Sequence, residues 1–100
     1  MNEIRIIRYR TKPEAAEENQ RLAEKVFAEL GAENPGGVRY ATFRLADGVS
    51  FVHVVLYEGE DRPLASLRAF AAFQQDIGER VDGPPEAASA TLVGSYHFAL

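Results

Sequence analysis

Apolar positions along this chain follow two rhythms, and each change of rhythm marks an element boundary. From Glu3 to Lys12, "EIRIIRYRTK" is short, rich in isoleucine and arginine, and followed by Pro13, which reads as a strand. Pro13 suits the first turn of a helix, where its missing N–H is not needed. Thr11 and Glu14 have the spacing of a capping box. Beyond them Ala15, Asn19, Leu22, Ala23, Val26, Phe27 and Leu30 recur at helical spacing, with Glu17, Glu18, Arg21, Glu24 and Lys25 largely opposite. Gly31 is the expected stop, and "ENPGG" (Glu33 to Gly37) is loop chemistry.

The rhythm then shortens. "VRYATFRLADGVSFVHVVLYEG" has the form of a hairpin, with Asp47-Gly48 as the dipeptide that a two-residue type I′ turn prefers. That turn sets Ala46 against Val49 and fixes the register: Arg44 faces Phe51, Thr42 faces His53, Tyr40 faces Val55 and Val38 faces Tyr57. These residues share one face of the ribbon. The other carries Ala41, Phe43, Leu45, Val52, Val54 and Leu56, with Arg39 and Ser50 toward the ends. Both faces are too apolar to be left to water. After "EGEDRP", Asp61 is a candidate N-cap, and Leu64, Leu67, Phe70, Phe73, Ile77 and Val81 form the stripe of a second helix. "VDGPP" ends it, and "SATLVGSYHFAL" (Ser89 to Leu100) reads as a last strand.

The order is βαββαβ, which predicts an α+β, ferredoxin-like fold with a four-stranded antiparallel sheet in the order 4-1-3-2. Two helices cover one face of such a sheet and leave the other bare. A bare apolar face on a chain of 100 residues predicts a homodimer packed face to face.

Length and composition narrow the picture. One hundred residues argue for a single domain spanning 1–100. The absence of cysteine removes disulfides and thiolate metal sites. A net charge of −4 does not favour nucleic acid. No apolar run approaches the ~20 residues that span a bilayer, and "MNEIRIIRYR" lacks a signal peptide's apolar segment, so the expected location is cytoplasmic. The two histidines, His53 and His97, fall on strands separated by the first. That places them on the order of 10 Å apart at best, too far to share one metal ion. "NPGGV" leads into a strand, so it is not a phosphate loop.

"ADGVSFVHVVLYEGE" carries a more specific likeness. It resembles the antibiotic biosynthesis monooxygenase (ABM)-like domains of the dimeric α+β barrel superfamily, and the likeness in length and element order covers nearly the whole chain. In the anthrone-oxidising members an Asp-Gly hairpin leads into a strand with a pocket-lining asparagine. A tryptophan follows four residues later, before an acidic residue that opens the second helix. His53 stands here at the asparagine position and Tyr57 at the tryptophan position. The tyrosine early in that family's second helix has no match in "DRPLASL". The haem-degrading branch fits worse, since this chain has neither a second-helix histidine nor a tryptophan. The resemblance implies a cofactor-free oxygenase acting on a small aromatic or polyketide-like molecule, so no cofactor is expected.

Two readings of His53 follow. In one it is a packed imidazole, hydrogen-bonded to Thr42 or to a backbone carbonyl. In the other it is a general base or hydrogen-bond partner, with Tyr57 as an orienting donor. Asn19, Phe27, Tyr40, Thr42, Phe51, Phe70, Phe73 and Gln74 would then line the ligand site, with Arg44 at its mouth. The same rings serve as core in the first reading, which makes the chain a non-catalytic binding or structural homodimer. A cavity of roughly 300 Å³ reaching His53 favours a ligand. A closed, packed site favours structure.

Overall fold

The computed structural model describes residues 3–98. Strand β1 (Glu3–Arg10) leads through a 3₁₀ turn (Pro13–Ala15) into helix α1 (Ala16–Glu33). Strands β2 (Val38–Arg44) and β3 (Ser50–Tyr57) form the hairpin. A second 3₁₀ turn (Pro63–Ser66), helices α2 (Arg68–Gln74) and α3 (Ile77–Arg80), and strand β4 (Glu86–Ala90) complete the order. The sheet runs β2-β3-β1-β4 with every pairing antiparallel, which is the expected ferredoxin-like topology.

The expected hairpin register is present, with Thr42 opposite His53 and Arg44 opposite Phe51. The turn that delivers it is different. Gly48 alone among the turn residues has positive φ (79°), and its N–H bonds the Leu45 carbonyl, while Leu45 N–H bonds the Ser50 carbonyl. The loop therefore spans four residues, 46–49, rather than two. Asp47 holds it by accepting from Val49 N–H, Ser50 N–H and the Ser50 hydroxyl. The bond from the Ser50 hydroxyl, helped by those two amides, keeps the Asp47 carboxyl low, at about 2.

Three helix boundaries depart from expectation. The Thr11–Glu14 capping box does not form, because Thr11 is drawn into the core and bonds Val49 through its backbone and hydroxyl. Helix α1 runs past Gly31 to a left-handed Asn34 (φ 48°), whose N–H closes on the Leu30 carbonyl. The second helix is not one piece capped by Asp61. Leu67 and Gln75 are extended and Asp76 is left-handed (φ 61°), which splits the expected stripe into the 3₁₀ turn, α2 and α3.

The N-terminus of α2 has no cap from its own segment. Instead the Glu29 carboxylate of α1 accepts from Arg68 N–H and Ala69 N–H at 3.2 and 2.7 Å. Glu29→Ala should cost about 1 kcal/mol, read as a lowered melting temperature. An unchanged temperature would show that this cross-helix cap adds nothing.

The helices cover one face of the sheet. There Tyr9, Phe51 and Val55 pack against Ala23, Val26, Leu64, Leu67 and Phe73, all buried. The opposite face presents Ile4, Ile6, Ala41, Phe43, Val52, Val54 and Leu56, none of them fully buried. The last strand begins earlier than expected, at Glu86, and ends at Ala90, which pairs with Ile4 of β1. Residues 91–98 form no strand, and Leu92, Val93, Tyr96 and Phe98 are exposed. The final two residues of the expected strand lie outside the described range. No helix among the described residues is long and apolar enough to cross a membrane.

Candidate functional site

β-sheet geometry places His53 at the crossing of three strands. Thr42 lies directly opposite on β2 and Ile7 on β1. Tyr40 and Tyr9 sit on the same face, diagonal to His53, where long side chains still reach across. Both do. Tyr40 Oη lies 2.6 Å from His53 Nδ1, and Thr42 Oγ1 lies 3.0 Å from the same atom. Tyr9 Oη lies 2.7 Å from Nε2 on the other side. The Thr42 contact is the one anticipated for a packed imidazole.

The network continues away from the sheet. Asn19 Nδ2 of α1 donates to Tyr9 Oη at 2.9 Å, and Arg80 Nε donates to Asn19 Oδ1 at 3.0 Å. Arg80 also donates to the carbonyls of Phe73 (2.7 Å) and Gln75 (3.2 Å), which the break after α2 leaves without helical partners. Its guanidinium lies 5.1 Å from the Phe73 ring centre. Asn19, His53 and Arg80 are 0, 3 and 5% exposed, so this is a polar thread through the core. No buried side-chain polar atom among the described residues lacks a partner.

Aromatic rings enclose the thread. Tyr9 and Tyr40 stack near His53 at 5.3 and 5.9 Å between ring centres, Phe73 tilts against it at 5.4 Å, and Phe27 stacks on Tyr40. Burial among them pushes the His53 pKa down to about 4, so the imidazole is neutral at physiological pH. Burial also raises Tyr9 to about 12, against the opposing Asn19 hydrogen bond, and raises Tyr40. Both hydroxyls keep their protons.

The expected site residues divide. His53, Asn19, Tyr40 and Thr42 come together in the network, with Phe27, Phe51 and Phe73 around it. Phe70 packs at the core's edge. Gln74 is exposed, on the side of α2 that it shares with exposed Ala71. Tyr57 stands four residues along the strand from His53, on the order of 13 Å away, with Val55 between them. It lies instead under the Arg62 guanidinium, 4.4 Å from ring centre to carbon. Arg44 is held by Gly48, Glu17 and Gln20 rather than by the cluster. His97 is exposed and outside β4.

Tyr9 and Arg80 were not anticipated. The alternation in "EIRIIRYR" could have set Tyr9 on the face of Ile7. Helical spacing could have hinted at Arg80, which stands seven residues after Phe73 and so on nearly the same side of a helix, but a charged residue beside an apolar stripe reads as solvated.

The surface of the described residues includes two grooves, of about 500 and 410 Å³. The larger lies between α1 and the Pro63 turn, lined by Glu29, Glu33, Pro63 and Arg68. The second lies between α1 and α2–α3, lined by Leu22, Gln75, Glu79 and Arg80. Neither is lined by His53. The imidazole is closed over by its own hydrogen-bond partners.

No protein-family model matches this sequence, and no curated protein is significantly similar to it. Solved structures do match across nearly the whole chain. A provisionally named antibiotic biosynthesis monooxygenase from Bacteroides thetaiotaomicron superposes with a TM-score of 0.78 at 18% identity, covering 92% of this chain and 90% of its own. The chain has the ABM fold. Rv0793 from Mycobacterium tuberculosis matches it at 0.71 and 19% identity, over 95% and 98% of the two chains. SnoaB, a cofactor-independent oxygenase from Streptomyces nogalater, matches at 0.68 and 18%, over 96% and 97%. The resemblance read from "ADGVSFVHVVLYEGE" therefore holds for the ABM-like fold.

Proposed function

We propose that this chain is an ABM-like oxygenase that works without a built-in redox cofactor on a small aromatic substrate carrying an acidic hydroxyl or carbonyl. The observation that supports this most is a neutral, buried histidine with a tyrosine hydroxyl on each ring nitrogen, walled by Phe51, Phe73 and Phe27. Perturbed titratable groups gathered in one apolar site are a mark of functional centres. The SnoaB likeness supplies the reaction class. His53 meets the substrate's oxygen, either taking its proton or donating to it. The activated carbon is a methylene that then reacts with O₂ and gives up both hydrogens. One oxygen atom becomes its carbonyl oxygen and the other leaves with the two hydrogens as water, so the substrate itself supplies all the electrons. Sealing the site from water strengthens each of those few polar contacts.

The homodimer belongs to the same proposal. It is supported by the uncovered apolar face of β1, β2 and β3 and by exposed Leu92, Val93, Tyr96 and Phe98. Sedimentation of a monomer at micromolar concentration would remove it.

Closure of the cluster favours a second reading, a non-catalytic binding or structural dimer of the same fold. Oxygen uptake separates the two. A small library of phenols and anthrones, without added cofactor, should include compounds that drive O₂ consumption above buffer. His53→Ala should abolish it while leaving the dimer intact. No uptake with any compound would favour the structural reading, and full activity in the variant would take histidine out of the mechanism. On the structural reading the substitution shows only its stability cost of about 1–3 kcal/mol, from orphaned hydroxyls of Tyr9 and Tyr40.

A further inference from the structure

The hydrogen bonds of the cluster also determine where its protons lie. A guanidinium only donates. Arg80 Nε–H points at the Asn19 side chain, so the amide oxygen faces Arg80 and the NH₂ faces Tyr9. Tyr9 Oη therefore accepts from Asn19. Its other partner among the described hydrogen bonds is His53 Nε2, so the Tyr9 O–H donates there. The reverse arrangement, with Nε2–H donating to Tyr9, strands the Tyr9 hydroxyl hydrogen in an interior where that residue is only 4% exposed.

We propose that Arg80, acting through Asn19 and Tyr9, holds His53 as its Nδ1–H tautomer, so that the more accessible side of the imidazole is a hydrogen-bond donor. Nδ1 faces Tyr40 and Thr42, both only half-buried, whereas Tyr9, Asn19 and Arg80 on the Nε2 side are buried. A ligand that displaces the Tyr40 hydroxyl meets an N–H, which fits a carbonyl or phenolate oxygen. The lone pair of Nε2 stays inside, committed to Tyr9. Arg80, Asn19 and Tyr9 are thus positioning residues. The bearing on catalysis rests on the oxygenase reading above, and there it selects donation over proton abstraction.

Imidazole nitrogens with and without a proton are distinguished by long-range ¹H–¹⁵N correlation spectra, with His53 separated from His97 by a His97→Gln control. At pH 7.5 the unmodified protein should show Nδ1 protonated and Nε2 bare. Asn19→Asp supplies a carboxylate that accepts from both Arg80 and Tyr9. Tyr9 then turns its O–H toward residue 19 and accepts from Nε2–H, so the two nitrogens should exchange roles. Proton on Nε2 in the unmodified protein, an even mixture there, or Nδ1–H retained in Asn19→Asp would each overturn the proposal. If that variant does not fold, Arg80→Met frees the Asn19 amide to turn and should populate both tautomers. A spectrum of Nδ1–H alone would then remove the role given to Arg80. Added 1,4-naphthoquinone, an acceptor without an acidic hydroxyl, tests the oxygenase reading separately. An Nδ1 signal it does not move, in a protein of proven tautomer, would count against ligand binding and leave the tautomer standing.

Discussion

Phe51→Ala is expected to lower the unfolding free energy by about 3–5 kcal/mol, the range for truncating a buried phenylalanine. Phe51 is 1% exposed on the central pair of strands, directly opposite Tyr9, with their rings stacked at 5.8 Å. It also lies beneath the Arg44 guanidinium, at 5.7 Å. Removing the ring withdraws dispersion contacts from β1 and β3 together and leaves space that a strand at the middle of a sheet cannot collapse to fill. The loss is a large part of the roughly 5–15 kcal/mol that holds a domain of this kind. A urea titration measures it as a shift in midpoint at unchanged slope. A loss below about 1 kcal/mol, well under the usual range for buried aromatics, would mean that the aromatic centre is not packed as described.

Acidification should cost stability through His53. The unfolded imidazole binds a proton near pH 6.5, while the folded one, desolvated by burial, resists until about pH 4. Between those values the unfolded state holds more protons, so stability rises with pH across that window. The contribution is therefore complete above pH 6.5 and drains away as the pH falls to about 4. At 1.36 kcal/mol per pKa unit, the full span amounts to about 3 kcal/mol. Protonation also breaks the network, since a doubly protonated ring has no lone pair for the Tyr9 O–H. Carboxylates titrate in the lower part of the same range, so the measurement is a difference. Unfolding free energies of the native chain and of His53→Asn, taken from pH 7.5 to 4.5, should diverge by about 2.5 kcal/mol, most of that span. Parallel curves would contradict a histidine buried in its neutral form.

The β-hairpin was legible because parity survives errors of detail. A two-residue turn and the observed four-residue loop both place Thr42 opposite His53, since what matters is the sum of the paired positions and not the turn geometry. The same arithmetic put Tyr40 and Thr42 on the histidine's face. It could not bring Tyr57 to His53, because sharing a face says nothing about distance along a strand. Asn19 was visible as the polar member of an apolar stripe, but its partners were not. Arg80 was hidden as a charged residue at the edge of an apolar stripe. The carbonyls of Phe73 and Gln75 that it meets are freed only by extended Gln75 and left-handed Asp76, a break that an uninterrupted stripe conceals.

Local sequence thus determined the element order, the hairpin register and which face each hairpin residue would take, because backbone periodicity is a property of neighbours in the chain. The tertiary structure decided the rest. It chose where the second helix breaks, capped α2 with Glu29 from another helix, and joined residues as distant as Tyr9, Asn19, His53 and Arg80 into one thread. A buried donor must find its acceptor among whatever groups packing brings within about 3 Å, and no pattern of nearby residues encodes that meeting. Beneath the functional proposal lies a His53 kept uncharged by burial and proton-directed by its hydrogen bonds. An imidazolium detected at neutral pH would end it.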